Sequence, residues 1–139
     1  MNTKIHKKLN DLSISLMKAA KREDEKTFYQ FYDELKALCL DNEADKTKNH
    51  PEQWETLADF TDELEQAITY YNVALALASD PKDHEFIASI NYSMATMYND
   101  AGNTEAALTC AQSAKSSMKR VHDKVLLEEI DQLLENLEA

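Results

Sequence analysis

Glycine occurs once and proline twice in 139 residues. Sheet proteins need turn residues at short intervals, and this chain has almost none to supply them. Long helices with short connections are the expected build, and active sites made of loops are nearly excluded. The two cysteines, Cys39 and Cys110, stand alone in helical patterns. They are expected as reduced, buried thiols, although one disulfide between them is compatible with the sequence. No apolar run is long enough to span a membrane. The opening MNTKIHKKLNDL lacks the apolar stretch of a secretory signal, so a cytoplasmic location is expected. Positive charge is also short, with 15 Lys and Arg against 26 Asp and Glu for a net charge of −11. That balance argues against a nucleic-acid partner, whose phosphates demand a basic face, and against an anionic membrane surface. It favours a basic partner, and it serves solubility equally well.

Hydrophobic residues make up 43% of the chain, enough for a core of one domain spanning residues 1–139. Their spacing is helical throughout, and about six helices can be read. Ile5, Leu9, Leu12, Leu16 and Ala19 mark the first. Phe28, Phe31, Tyr32, Leu35, Leu38 and Cys39 mark the second, with Asp24 as its cap, and the two form an antiparallel hairpin. Residues 41–51 are the one extended polar stretch and are expected as a loop, closed by Pro51 in the first turn of the next helix.

The segment from Glu52 to Ser79 holds no Gly, no Pro and no basic residue. Trp54, Leu57, Thr61, Leu64, Ile68, Tyr71, Leu75 and Ala78 alternate spacings of three and four, a heptad-like seam. Because the seam runs without interruption, a single helix about 40 Å long is expected, at 1.5 Å per residue. Its six acids, Glu52, Glu55, Asp59, Asp62, Glu63 and Glu65, all lie in the first half. The uncharged second half must be covered on most sides. Asp80 is expected to cap the following helix, with Pro81 in its first turn. That helix carries Phe86, Ile87, Ile90, Met94, Met97, Tyr98 and Ala101, and Gly102 ends it in the left-handed conformation. Asn103 caps the fifth segment, which carries Ala107, Leu108, Ala111, Ala114 and Met118. The last, within residues 122–139, carries Leu126, Ile130, Leu133 and Leu137.

Residues 88–119 resemble a tetratricopeptide repeat. The matching positions are Met94-Ala95, Tyr98, Gly102, Ala107 and Ala114. Small residues at that spacing let two helices cross closely, and the glycine permits a tight turn. Asn91 stands where a large apolar residue is usual, and Ala111 where an aromatic is usual. A degenerate unit over 52–81 matches at Trp54, Leu57-Ala58 and the run Ala67 to Leu75, but its turn is about three residues short. The resemblance implies an all-α fold of antiparallel hairpins stacked as a short tetratricopeptide-like solenoid, with residues 122–139 as the capping helix. It also implies a partner-binding groove lined by the first helix of each hairpin, which places Ser89, Tyr92, Thr96 and Asn99 on the groove side. The family's Lys, Arg and Asn clamp for C-terminal carboxylates is absent.

The expected function is therefore non-catalytic binding of another protein with a basic surface or segment, flanked by acids 52–65. Trp54, Glu55, Asp59, Asp62 and Glu63 join the groove residues as candidate contacts. Each has a plainer role: Trp54 as a packing staple, the acids as a solvated face, and Tyr92 and Thr96 as helix packing. An inhibitor or immunity protein for a basic toxin such as a nuclease fits the acidity and size. The alternative is a structural protein, a homodimer paired through the 54–78 seam. An enzyme or small-ligand binder is the least supported reading. There is no phosphate-cradling glycine loop, no nucleophile elbow and no Glu-x-x-His pair, so no catalytic residue, metal or cofactor is expected.

Overall fold

The computed structural model describes residues 2–79 and 82–139. Its helices begin where the sequence supplies caps. Asn2 accepts from the amides of Lys4 and Ile5 to start α1 (Thr3–Lys21), and Asp24 accepts from the Thr27 amide to start α2 (Glu25–Asn42). Pro51 opens α3 (Pro51–Asp59), with the His50 ring accepting from the Glu52 amide. After α4 (Leu64–Ser79), Asp83 caps α5 (His84–Asp100), Asn103 caps α6 (Thr104–Ser117), and Asp123 caps α7 (Lys124–Glu138). A single 3-10 turn, Met118–Arg120, leads out of α6. Each cap satisfies amides that the first helical turn leaves free. The cap of α5 is Asp83, while the expected contributions of Asp80 and Pro81 lie outside the described residues. Among the described residues there is no strand, and no helix is long and apolar enough to cross a membrane.

The expected continuous helix from 52 to 79 is not formed. The chain leaves the helix at Phe60 and re-enters at Leu64, so α3 and α4 fold back on each other as a hairpin. Thr61 holds the corner: its hydroxyl donates to the Leu57 carbonyl (2.7 Å) and its amide donates to Ala58 (3.0 Å). Burial explains the break. A straight helix would leave Trp54 and Tyr70 on separate turns, whereas the hairpin sets their rings 5.9 Å apart. It also closes Leu57, Ala58, Ala67 and Ala74 from water completely. Each fully buried Leu-sized side chain contributes about 1.5–3 kcal/mol. The same folding turns Trp54, Leu57, Thr61, Tyr71 and Ala78 of the seam toward their own chain, while Leu64, Ile68 and Leu75 are half-buried.

Consecutive helices pack in order along the chain, and the odd-numbered helices also touch: α1 with α3, α3 with α5, α5 with α7. His6 near the start of α1 meets Glu52 near the start of α3 at 3.2 Å, so these helices run the same way. One core cluster joins α1 to α5 through Leu9, Leu16, Leu35, Leu57, Tyr71 and Ile90. Two smaller ones, around Ile130 and Leu133, attach α7 to α5 and α6. Alanines line the closest crossings. Ala95, Ala107, Ala111 and Ala114 in α5 and α6 have no exposed surface, and neither have Ala58, Ala67, Ala74 and Ala78 in α3 and α4. With no side chain beyond Cβ, the backbones can approach closely.

Three of the corners are built alike. Glu23, Lys82 and Gly102 have φ of 56°, 64° and 82°. The next amide in each case, that of Asp24, Asp83 or Asn103, donates back to the Ala19, Ala78 or Tyr98 carbonyl at 2.7–2.9 Å. That same residue then caps the following helix. At the Glu23 and Gly102 corners one helix therefore ends and the next begins with three residues between them. Only one of the three corners carries the glycine that this geometry prefers.

Candidate functional site

Glu55 and Asp59 lie one helical turn apart on α3 and so share a face. That face looks along the row of odd-numbered helices. Ser89 of α5 donates its hydroxyl to Glu55 Oε2 at 2.8 Å. Tyr71 of α4 donates its hydroxyl to Asp59 Oδ1 at 2.5 Å. Ser93, one turn beyond Ser89, stands beside the same tyrosine hydroxyl. Two carboxylates thus sit at the junction of three helices, each with one neutral donor.

Neither has a cation. Among the described residues, the ion pairs are His6–Glu52, Lys7–Asp11, Lys8–Glu34, Lys48–Asp45 and Lys115–Asp131. Burial raises the Glu55 carboxyl to about 7, helped by the negative charges of Asp59 and Glu52 and opposed by the Ser89 hydrogen bond. Burial likewise raises Asp59 to about 6, against the hydrogen bond from Tyr71. The Tyr71 phenol is itself held well above its ordinary value, by burial and then by Asp59. Asp59 as a residue is exposed, while its carboxyl is crowded by protein atoms. Water reaches the group from one side, and the protein atoms on the other disfavour its charged form.

A cavity of about 350 Å³ opens between α5 and α7, walled by Phe86, Val125 and Leu126 and edged by Glu85, Asp123 and Glu129. The chain matches none of the protein-family models, curated proteins or solved structures with which it was compared. The reading of this face therefore rests on its own residues.

Of the residues singled out in the sequence, the fold brings together Glu55, Asp59 and Ser89. Trp54 is not at the surface: it is 3% exposed, and its Nε1–H donates to Asn49 Oδ1 at 2.7 Å. It is the staple between the 43–50 loop and the α3–α4 hairpin. Asp62 is turned toward α2, where it accepts from the Tyr29 hydroxyl at 3.2 Å. Glu63 is exposed, and its carbonyl accepts from the Ala67 amide at the start of α4. Tyr92 is half-buried and packs against both small clusters, the one around Ile130 and the one around Leu133. Thr96 spends its hydroxyl on the Tyr92 carbonyl (3.0 Å), and Asn99 is exposed near the end of α5. Tyr71 and Ser93 complete the site, and the sequence does not mark them as site residues. Ser89 and Ser93 at i and i+4 are a weak sign of a polar stripe, whereas Tyr71 is absorbed by the seam.

The cysteines stand apart from this face. Cys39 is buried, donates to the Gln53 carbonyl at 3.4 Å, and has its thiol pushed up to about 12 by burial. Cys110 is half-buried, and both are free thiols. Among the described residues, no three His, Cys, Asp or Glu side chains come together as a metal-ligand set.

Proposed function

We propose that this chain is a non-catalytic binding module that takes a basic segment of another protein along the face formed by α1, α3, α5 and α7. The observation that carries this reading is the pair Glu55 and Asp59, two carboxylates crowded by protein with no cation of their own. A Lys or Arg arriving from outside supplies the missing charge and a charge-assisted hydrogen bond. The order of helix contacts and the alanine-lined crossings favour a tetratricopeptide-like stack of three hairpins and a final helix, whose concave side is this face. The net charge of −11 steers a basic protein toward it. A cover for a basic toxin such as a nuclease is the specific form that suits these properties.

The reading is tested by chemical cross-linking in cells of the source organism with wild type and with Glu55→Lys/Asp59→Lys. A basic protein joined to wild type and lost from the double variant supports it. Equal yields from both, with folding verified by circular dichroism, would sink it.

A further inference from the structure

The cleft between α5 and α7 has a composition of its own. Val125 is 66% exposed, the highest value among the large apolar side chains of the described residues. Leu126 and Phe86 are half-buried beside it, so the cleft offers an apolar wall and floor. Glu85 and Glu129 are exposed on its two edges, one from each helix. Asp123 is already engaged, accepting from the Leu126 amide as the cap of α7. The lining contains no Lys or Arg. Ser89 belongs both to this cleft and to the hydrogen bond with Glu55, so the cleft adjoins the Glu55 carboxylate. The neighbouring cavity at the helix corners shares Glu85 and Asp123 with the cleft and adds Lys82 and Arg120, so its charge is mixed.

We infer that this cleft seats one apolar side chain of the partner's basic segment, with the cations on either side of it meeting Glu85 and Glu129. The assignment rests on the reading of the groove as a site for a basic segment and adds what that segment must carry. The argument is complementarity of two kinds in one place. Covering the open Val125 side chain with an apolar group is favourable. Edges of one charge sign, on a chain of that same net sign, select the opposite charge.

Three fluorescent twelve-residue peptides test the inference, carrying alternating Arg and Leu, Arg and Ser, or Glu and Leu. Binding is followed by anisotropy, and amide shifts are mapped on the 15N-labelled full chain. The expected result is that the Arg/Leu peptide binds at least tenfold more tightly than the other two and shifts amides of residues 85–93 and 123–130. Val125→Ser removes apolar surface without adding charge at an exposed position, and should lower Arg/Leu affinity about fivefold while leaving Arg/Ser unchanged. Glu85→Gln with Glu129→Gln should weaken both Arg peptides and flatten their salt dependence. If Arg/Leu and Arg/Ser bind alike and Val125→Ser alters neither, the apolar seat is overturned and the acidic groove stands. If neither Arg peptide moves amides in 52–63 or 85–93, the groove reading falls and the inference falls with it.

Discussion

Glu55 is the residue whose chemistry departs furthest from that of its solvated counterparts on α3. Its carboxyl rises from 4.5 to about 7, so the folded chain holds that proton more tightly than the unfolded chain does. Stability is then greatest below about pH 4.5 and declines as the pH passes through 7. Asp59 adds a decline of the same sign ending near 6. A tenfold difference in proton affinity between folded and unfolded chain corresponds to about 1.4 kcal/mol, before water access is allowed for. Screening at a half-buried group reduces the Glu55 contribution to about 1–2 kcal/mol. Glu55→Gln keeps an acceptor for Ser89 and removes the charge. It should raise the melting temperature at pH 8 and leave it nearly unchanged at pH 4.5. Tyr71→Phe should do the opposite at neutral pH, costing about 1–2 kcal/mol because Asp59 loses its buried donor. Urea unfolding at the two pH values measures both.

At the scale of helices and corners, the fold repeats one device at three places and uses glycine at one. A left-handed conformation costs an ordinary residue about 1–2 kcal/mol, part of which glycine returns through its freedom in the unfolded chain. Glu23→Gly and Lys82→Gly should each stabilise the protein by about 0.5–1 kcal/mol. Gly102→Ala should destabilise it by about 1 kcal/mol. A Cβ at Gly102 meets nothing within 4 Å, so that loss is conformational and not steric. Urea midpoints with unchanged m-values would establish these effects, whereas a changed m-value would point to altered compactness. The corner at Phe60–Glu63 is of a different kind. Thr61→Val keeps the shape and removes the hydroxyl that bonds the Leu57 carbonyl and the Tyr32 hydroxyl. It should cost about 1–3 kcal/mol, since Thr61 is buried and its partners are left short.

For the whole molecule, the proposed site and the net charge bear on the same question, what a basic partner would meet. A basic partner must find Glu55 and Asp59 ionised, yet in the free chain both carry protons in mildly acidic solution. Its affinity should therefore rise between pH 5.5 and pH 8, with protons released on binding, and should fall as salt is added. Isothermal titration in buffers of different ionisation enthalpy reads the proton release directly. No proton release at pH 6.5 would show that these two carboxylates are not where the cation docks.

The helices, their caps and most of the buried positions are legible in the sequence, because three-and-four spacing and capping residues are local properties. Leu9, Leu12, Leu16, Leu35, Cys39, Ala107 and Ala114 follow from that pattern, and Gly102 from the needs of one turn. The seam from Trp54 to Ala78 is equally legible but ambiguous, since the same spacing serves one long helix or two short ones laid together. Only the tertiary structure decides between them, through what Trp54 and Tyr70 bury by facing each other. The site depends on that decision. Asp59 and Tyr71 are twelve residues apart in the chain and meet only because α3 and α4 fold back, and Glu55 meets Ser89 only because α5 lies beside α3. Acidity and helicity are written along the chain. Which carboxylates are crowded, and which are merely solvated, is set by the neighbours that packing brings.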